Sequence, residues 1–406
     1  MALPTVHALE SCADFSTAVQ PFLPQLYDLP HQLLDIATGH SGRSLLQLYA
    51  ETNPLISGFA ASVALGAVFL VLAEINRNYS QVDRAWSVLP TVYIAHFAAW
   101  ARLTGVPHQR VDAALLFSAI WSARLSFNYW RKGGYGIGHE DYRWEIIRQY
   151  IPKFAFHVFN WTFISFIQSI LLFLIAAPVY TILLASTIEP DLTSADIASV
   201  AIELALILTE YIADEQQWGK HAYLYHSPSP PREIPHHATI HPLTHTSTSS
   251  KQSTNNPAVY QSAKKQYRET NKVTRGFQQA DLDRGFITTG LWGHSRHPNF
   301  AAEQSIWFVL YQWSCYATKT LYHWTGAGPA FLVLLFQGST WLTELITAGK
   351  YPQYADYQRQ VGAFAPWGFK AYDASSASKS LASSPKVIRT SELAKKAQEK
   401  ETKKQK

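Results

Sequence analysis

The densest chemistry in the chain lies over residues 290–303, GLWGHSRHPNFAAE, where Ser295, Arg296, His297, Pro298 and Asn299 stand side by side ahead of an apolar run. A residue before proline is driven out of the α region, and proline itself suits the first turn of a helix. The spacing therefore predicts an approach over 295–297 and a helix beginning near Pro298 or Asn299. A helix start presents free backbone N–H groups and the positive end of the dipole. With Arg296 and His294 or His297 beside it, the place suits a phosphate or a carboxylate. The same residues would also serve as a basic cap on a membrane helix at the interface.

Further ionisable groups sit inside or beside long apolar runs. A charge in hydrocarbon costs at least ~2.5 kcal/mol on insertion scales, so it usually faces a cavity or a partner. Arg124 lies in WSARLSFNYW, with Asn128 and Tyr129 about one turn further on. Glu203, Glu210 and Asp214 are spaced by seven and four residues, which places them on one helix face, and Gln217 continues it. Glu303 and Glu344 fall near the ends of the last two apolar runs. Taken singly, Glu203 or Glu303 reads more simply as part of a helix-packing ion pair. Together, Asp83, Arg124, Glu210, Asp214, Arg296, Glu303 and Glu344 are expected toward the cytosolic half, as for one polar cavity opening to the cytosol.

The elements that must position these groups follow from composition. The chain of 406 residues is 47% hydrophobic, yet its mean hydropathy is near zero, so long apolar runs alternate with polar segments. That is the pattern of a polytopic membrane protein and not of a globular one. The predicted fold class is all-α, a bundle of about seven transmembrane helices. The spans expected are 55–75, 88–100, 111–129, 154–184 with a kink or stop at Pro178, 197–213, 300–317 and 327–346. The domain order is a polar segment over 1–54, a first part of the bundle over 55–225, a disordered insertion over 226–274, a second part with the motif over 275–370, and a disordered basic tail over 371–406.

Connections 131–153 and 214–299 and the tail are basic, whereas 185–196 has neither Lys nor Arg. Positive charge marks cytosolic loops, so the C-terminus is expected in the cytosol and the N-terminus in the lumen. The chain ends in Lys403, Lys404, Gln405 and Lys406, which looks like the dilysine retrieval signal of endoplasmic reticulum membrane proteins. No cleaved signal peptide is read at the start. Cys12 and Cys315 are far apart, and His236, His237, His241 and His245 have no carboxylate or cysteine to order them, so no disulfide or metal site is expected.

At this point the residues carry a family resemblance. GLWGHSRHPNFAAE is similar to the Gly-Leu-Trp, Ser-Arg-His-Pro-Asn-Tyr and Glu pattern of the domain of unknown function related to steroid 5α-reductases, a membrane oxidoreductase superfamily. VDRAWS at Asp83, WSARL around Arg124, HEDYRW over 139–144, EYIADEQQW over 210–218 and KYPQYADYQRQVGAFAPW over 350–367 agree in order and spacing. The resemblance covers 76–367 apart from the insertion. Arg-His-Pro-Asn by itself also occurs in membrane isoprenylcysteine carboxyl methyltransferases of a similar fold.

The resemblance implies a bundle of membrane helices holding NADPH in a cytosol-facing cavity and delivering hydride to a carbon-carbon double bond of a lipid. The chain has no Gly-x-Gly-x-x-Gly turn of the Rossmann kind. Arg124, Arg143, Arg296 and Lys350 are then expected at the phosphates, and Asn299 and Asp214 at amide or ribose. Asn128, Glu210, Trp292, Ser295, His297, Glu303 and Glu344 complete the expected cofactor site. Tyr351, Tyr354 and Tyr357 either close over the adenosine or form an aromatic belt at the interface.

Hydride addition to an enone needs a donor that stabilises the developing enolate oxygen. In the steroid reductases that the resemblance points to, a glutamate acts with a tyrosine three residues before the arginine matching Arg124. Here the glutamate position matches Asp83 and the tyrosine position is Trp121, whose indole N–H donates a hydrogen bond but is no acid. The proton source then moves to Tyr129, Tyr79 or His139, and the expected catalytic set is Asp83, Tyr129 and His139. Gly293-His294 and Phe300-Ala301-Ala302 also stand where relatives more often have Arg-Tyr and Tyr-Phe-Gly. Three functions follow: an NADPH-dependent reductase of a lipid double bond, a methyltransferase using S-adenosylmethionine on a lipid or prenylated carboxylate, or a non-catalytic lipid-binding relative. The partners expected are a lipid substrate and the bilayer, with no nucleic acid.

Overall fold

In a computed structural model of the chain, which describes residues 2–226, 284–351, 353–365 and 371–373, every apolar stretch singled out above is helical. The four histidines of the insertion, Trp367 and the terminal lysines lie outside the described residues, as does almost all of the insertion and tail. Among the described residues there is no strand, and the one isolated bridge joins Ser295 to Gly362. The chain divides into two units, Met1–Tyr211 with Phe300–Leu342 and Ile212–Asn299 with Thr343–Lys406.

Short helices open the first unit: α1 (Phe15–Ala18), α2 (Leu23–Ala37) and α3 (Leu45–Glu51). The polar N-terminal segment is thus folded, and it contributes Cys12, Ala18 and Phe22 to buried positions. Ser44 and Gln47 close a capping box on α3. Next, α4 (Pro54–Asn76) starts with Pro54 in its first turn and the Asn53 side chain accepting from the Leu55 N–H; it ends at Arg77 in the left-handed region. After α5 (Gln81–Trp86), the antiparallel neighbours α6 (Leu89–Thr104) and α7 (Gln109–Arg131) are joined through Gly105 at φ +73°. Glycine adopts that backbone without strain, which lets the chain reverse in four residues.

Beyond α8 (Tyr142–Tyr150), one apolar run is built from α9 (Lys153–Phe159), a π-helical stretch over Asn160–Ile167, α10 (Gln168–Leu174) and α11 (Pro178–Ser186). The break falls just before Pro178, as the sequence predicts, because proline lacks the N–H that would continue the helix but suits the first position of a new one. Then come α12 (Ser194–His226), α13 (Pro298–Ala317), α14 (Ala327–Lys350) and α15 (Tyr354–Gln360).

Among the described residues, three stretches are long and apolar enough to cross a membrane: Pro54–Asn76, Lys153–Ser186 and Trp324–Lys350. The remaining expected spans are helices that carry more polar side chains. On α4 the uncovered face is apolar, with Val68, Val71, Leu72 and Ile75 all exposed, which suits contact with lipid. The core of this unit is aromatic, built around the fully buried Trp100, Trp121, Trp307, Trp313, Phe97 and Phe173.

Gly328 on α14 meets the end of α10 at backbone distance. A methyl group there would overlap the Leu174 carbonyl oxygen and lie 2.9 Å from the Ile175 nitrogen, neither of which can swing aside. Small residues at such crossings let helix backbones approach. We expect Gly328→Ala to cost about 1–3 kcal/mol of stability, seen as a lower thermal midpoint in detergent. Gly338→Ala, which would meet nothing within 4 Å inside the same helix, serves as the control that keeps the midpoint or raises it, since alanine favours the helix.

In the second unit, residues 295–297 run extended beside 362–363. The Arg296 N–H donates to the Gly362 carbonyl at 2.9 Å and the His297 N–H to the Ala363 carbonyl at 2.9 Å. The extended approach and the helix start at Pro298 match the proline reading. Phe286, Tyr354, Tyr357 and Val361 form a small core here.

Candidate functional site

The nominated side chains assemble into three hydrogen-bonded groups. The first belongs to the second unit and is built on Glu344, near the end of α14. Arg296 grips it as a fork, Nε to Oε1 at 2.6 Å and Nη2 to Oε2 at 3.1 Å. His297 Nε2 lies 2.9 Å from Oε1, Gln358 Nε2 donates to Oε2 at 2.9 Å, and the Tyr354 hydroxyl donates to Oε1 at 3.4 Å. Arg296 Nη1 also donates to the carbonyls of Gln358 (3.1 Å) and Val361. Five donors on one carboxylate, with Arg296, His297 and Glu344 all buried, make a latch that joins the motif loop, α14 and α15.

The rest of the motif is fixed around this latch. The Tyr357 hydroxyl donates to the Trp292 carbonyl, and the Trp292 indole N–H donates to the Ala213 carbonyl at 3.2 Å. Ser295 Oγ donates to the Ala363 carbonyl at 3.1 Å. Tyr351 packs its ring over Gly285, where any Cβ would collide with it, and beside Phe286. At the helix start, Asn299 Nδ2 donates to Asp214 Oδ1 at 3.3 Å, while Asn299 Oδ1 is buried with no hydrogen-bond partner. A buried acceptor left unsatisfied costs roughly 1–3 kcal/mol, and a ligand N–H or O–H would relieve it.

The second group lies in the first unit, on α7, α12 and α13. Arg124 Nη2 is 2.7 Å from Glu210 Oε2 and 3.6 Å from Glu303 Oε2. Glu303 in turn accepts from two indoles, Trp121 Nε1 at 2.8 Å and Trp307 Nε1 at 2.9 Å, and the two rings meet edge to face. Glu203 is fully buried, and neither of its carboxyl oxygens has a hydrogen-bond partner. The same three helices are tied a second time 14 residues earlier on α7, about 21 Å away at 1.5 Å per residue. There Arg110 Nε donates to Asp196 at 3.0 Å, and Trp313 Nε1 donates to the other Asp196 oxygen at 2.7 Å. Two polar layers so far apart fix the helices in register as well as in contact.

The third group joins α5, the start of α8 and α14. Trp144 Nε1 donates to Asp83 Oδ2 at 2.7 Å. Arg143 forks onto Asp141, Nε to Oδ1 and Nη2 to Oδ2 both at 2.9 Å, and its Nη1 donates to Ser339 Oγ at 2.8 Å. Asp83 is half-buried as a residue, but its carboxyl sits among protein atoms. Burial pushes that carboxyl above the usual carboxylate range, with the nearby Arg143 charge opposing. For Asp141 burial acts in the same sense, but the paired Arg143 outweighs it and holds the group below its ordinary value. Tyr129, half-buried on α7, is near enough for the Asp83 charge to act on its hydroxyl.

Of the other nominated residues, Asn128 is buried and its Oδ1 accepts from Arg131 Nε at 3.0 Å. The His139 ring is exposed, and its carbonyl accepts from Asn78 and Arg84 at 2.9 and 2.7 Å. Residues passed over in the sequence matter as much. Trp307 stands four residues after Glu303, a helical spacing that could have revealed it. Asp141 and Gln358 sit inside the quoted HEDYRW and KYPQYADYQRQVGAFAPW, whereas nothing in the sequence marks Ser339.

Comparison with known proteins agrees with the motif reading at family level. The model of the family described as Protein of unknown function (DUF1295) matches residues 69–361. A Schizosaccharomyces pombe protein named Uncharacterized protein C594.04c is similar to this chain, 34% identical over 366 residues that cover 90% of this chain and 93% of that one. No solved structure matches.

Proposed function

The chain belongs to the DUF1295 family, and we propose that it is a multi-pass membrane reductase that uses NADPH to reduce a carbon-carbon double bond in a steroid-like or other lipid. We place it in the endoplasmic reticulum membrane with seven spans and a cytosolic C-terminus, on the loop charges and the terminal lysines. The observation that supports the reading is the buried Asp83 carboxyl, which accepts from the Trp144 indole next to the Asp141–Arg143 pair, with Tyr129 close enough to feel its charge. Trp121, at the position where the steroid reductases carry tyrosine, has its indole N–H taken up by Glu303 and so leaves the proton to another group.

Bound NADPH would supply the hydride. Asn299, with its unsatisfied acceptor, and Asp214 beside it fit the carboxamide or ribose hydroxyls of such a cofactor. The arginines nominated for its phosphates come already paired: Arg296 with Glu344, Arg143 with Asp141, and Arg124 with Glu210. The Tyr129 hydroxyl donates to the substrate oxygen on which negative charge develops, and Asp83 restores the proton that Tyr129 gives up.

NADPH, NADH and S-adenosylmethionine should be titrated into the purified, detergent-solubilised protein while its thermal stability is followed. At a hundred times its dissociation constant, NADPH should add about 2.7 kcal/mol, and Asn299→Ala should weaken that response. No response to NADPH rejects the reading, and a response to S-adenosylmethionine alone turns it into a methyltransferase. For the proton step, a carboxyl held above its usual value keeps its proton to higher pH. Reduction should therefore slow as pH rises through that point, and Asp83→Asn should flatten the dependence while cofactor binding persists. An unchanged pH profile in Asp83→Asn removes Asp83 from the proton path.

A further inference from the structure

Helix α2 carries an apolar surface for which the first unit supplies no cover. Its 15 residues, LPQLYDLPHQLLDIA, contain no buried side chain. At 100° per residue they fall into three sectors around the axis. Gln25, Leu29, Gln32 and Ile36 share one side and are half-buried, and Gln25 Oε1 accepts from the Asn53 N–H at 2.8 Å, which fastens α2 to the start of α4. The next sector holds Leu23, Pro30, Leu33, Leu34 and Tyr27, all exposed, with Leu26 half-buried among them; Tyr27 is 77% and Leu34 59% accessible. His31, Asp28 and Asp35 make up the third sector and are exposed as well.

We propose that α2 lies in the plane of the membrane surface, with its Leu23, Tyr27, Leu33 and Leu34 side sunk into the boundary between headgroups and acyl chains. The inference rests on α4 crossing the bilayer, not on the reductase chemistry. The start of α4 marks the edge of the hydrocarbon layer, and the hydrogen bond to Asn53 holds α2 at that edge. A helix at this level meets protein on one side, lipid on another and water on the third, which is the order of sectors found. Lys and Arg are absent from α2 and two aspartates face outward, so apolar area and not attraction to anionic lipid holds it down.

The test places single spin labels on the full-length protein in phosphatidylcholine vesicles through Tyr27→Cys, Leu34→Cys, Asp28→Cys, Asp35→Cys and Gln32→Cys, all on exposed or half-buried positions. Cys12 and Cys315 are buried and stay unlabelled. At positions 27 and 34, collision with oxygen relative to a water-soluble nickel chelate should be severalfold greater than at 28 and 35, and position 32 should be shielded from both. Equal nickel access at 27, 28, 34 and 35 would place the helix in water and overturn the proposal. Spin–spin broadening at 27 or 34 would show a second copy covering the face and overturn it too. Replacing part of the phosphatidylcholine with phosphatidylserine should leave the profile unchanged, and a deeper position there would refute the apolar driving force.

Discussion

Glu344→Ala should unfold the second unit more readily than any other single change in it, at a cost of about 3–5 kcal/mol. The carboxylate receives Arg296 through two nitrogens, together with His297, Gln358 and Tyr354. Its removal leaves a buried guanidinium without its carboxylate and with neutral partners such as the carbonyls of Gln358 and Val361. An uncompensated buried charge is far costlier than the net worth of the pair it came from. Arg296→Ala should be damaging for the mirror-image reason, because Glu344 then keeps only neutral donors and His297. The double variant Arg296→Ala with Glu344→Ala should lose clearly less than the sum of the two, since residues in one network are not additive. Denaturant or thermal unfolding in detergent measures all three, and strict additivity would show that the latch is absent from the folded protein.

Arg124→Met in the first unit is expected to cost a similar amount, again about 3–5 kcal/mol, by removing the cation that faces the buried Glu210 and Glu303, with Glu203 close by. The side chains are buried on three helices, so water cannot take over the role of the guanidinium. Adding Glu210→Leu and Glu303→Gln to Arg124→Met should recover part of the loss by removing both charges, although the single amide oxygen of glutamine can accept from only one of the Trp121 and Trp307 indoles, which use separate oxygens of Glu303. Buried ion pairs exchanged as a set for neutral residues are often tolerated. A triple variant no more stable than Arg124→Met alone would mean that the damage comes from lost packing and not from stranded charge.

Both predictions turn on partner choices that the sequence leaves open. Proline before Asn299 is enough to place a helix start, and the seven-and-four spacing of Glu203, Glu210 and Asp214 is enough to put them on one face, where all three are buried. Such rules work because they depend on bonds and rotations within a few residues. The break before Pro178, the helical character of each apolar run and the family itself were legible for the same local reason.

Which charge meets which is another matter. Glu344 lies 48 residues from Arg296, and Glu303 lies 182 residues from the Trp121 indole it accepts from. The sequence places the nominated ions in one cavity because apolar surroundings are the only context it offers. In the folded chain their hydrogen bonds form a latch on Glu344 in the second unit and, within the first, groups centred on Arg124 and on Asp83. Length and hydropathy decide that a segment is a helix and that its charges need partners. Only the packing of helices brings one carboxylate within 3 Å of one guanidinium, and a hydrogen bond or ion pair falls away too steeply with distance for any neighbour in sequence to stand in for the neighbour in space.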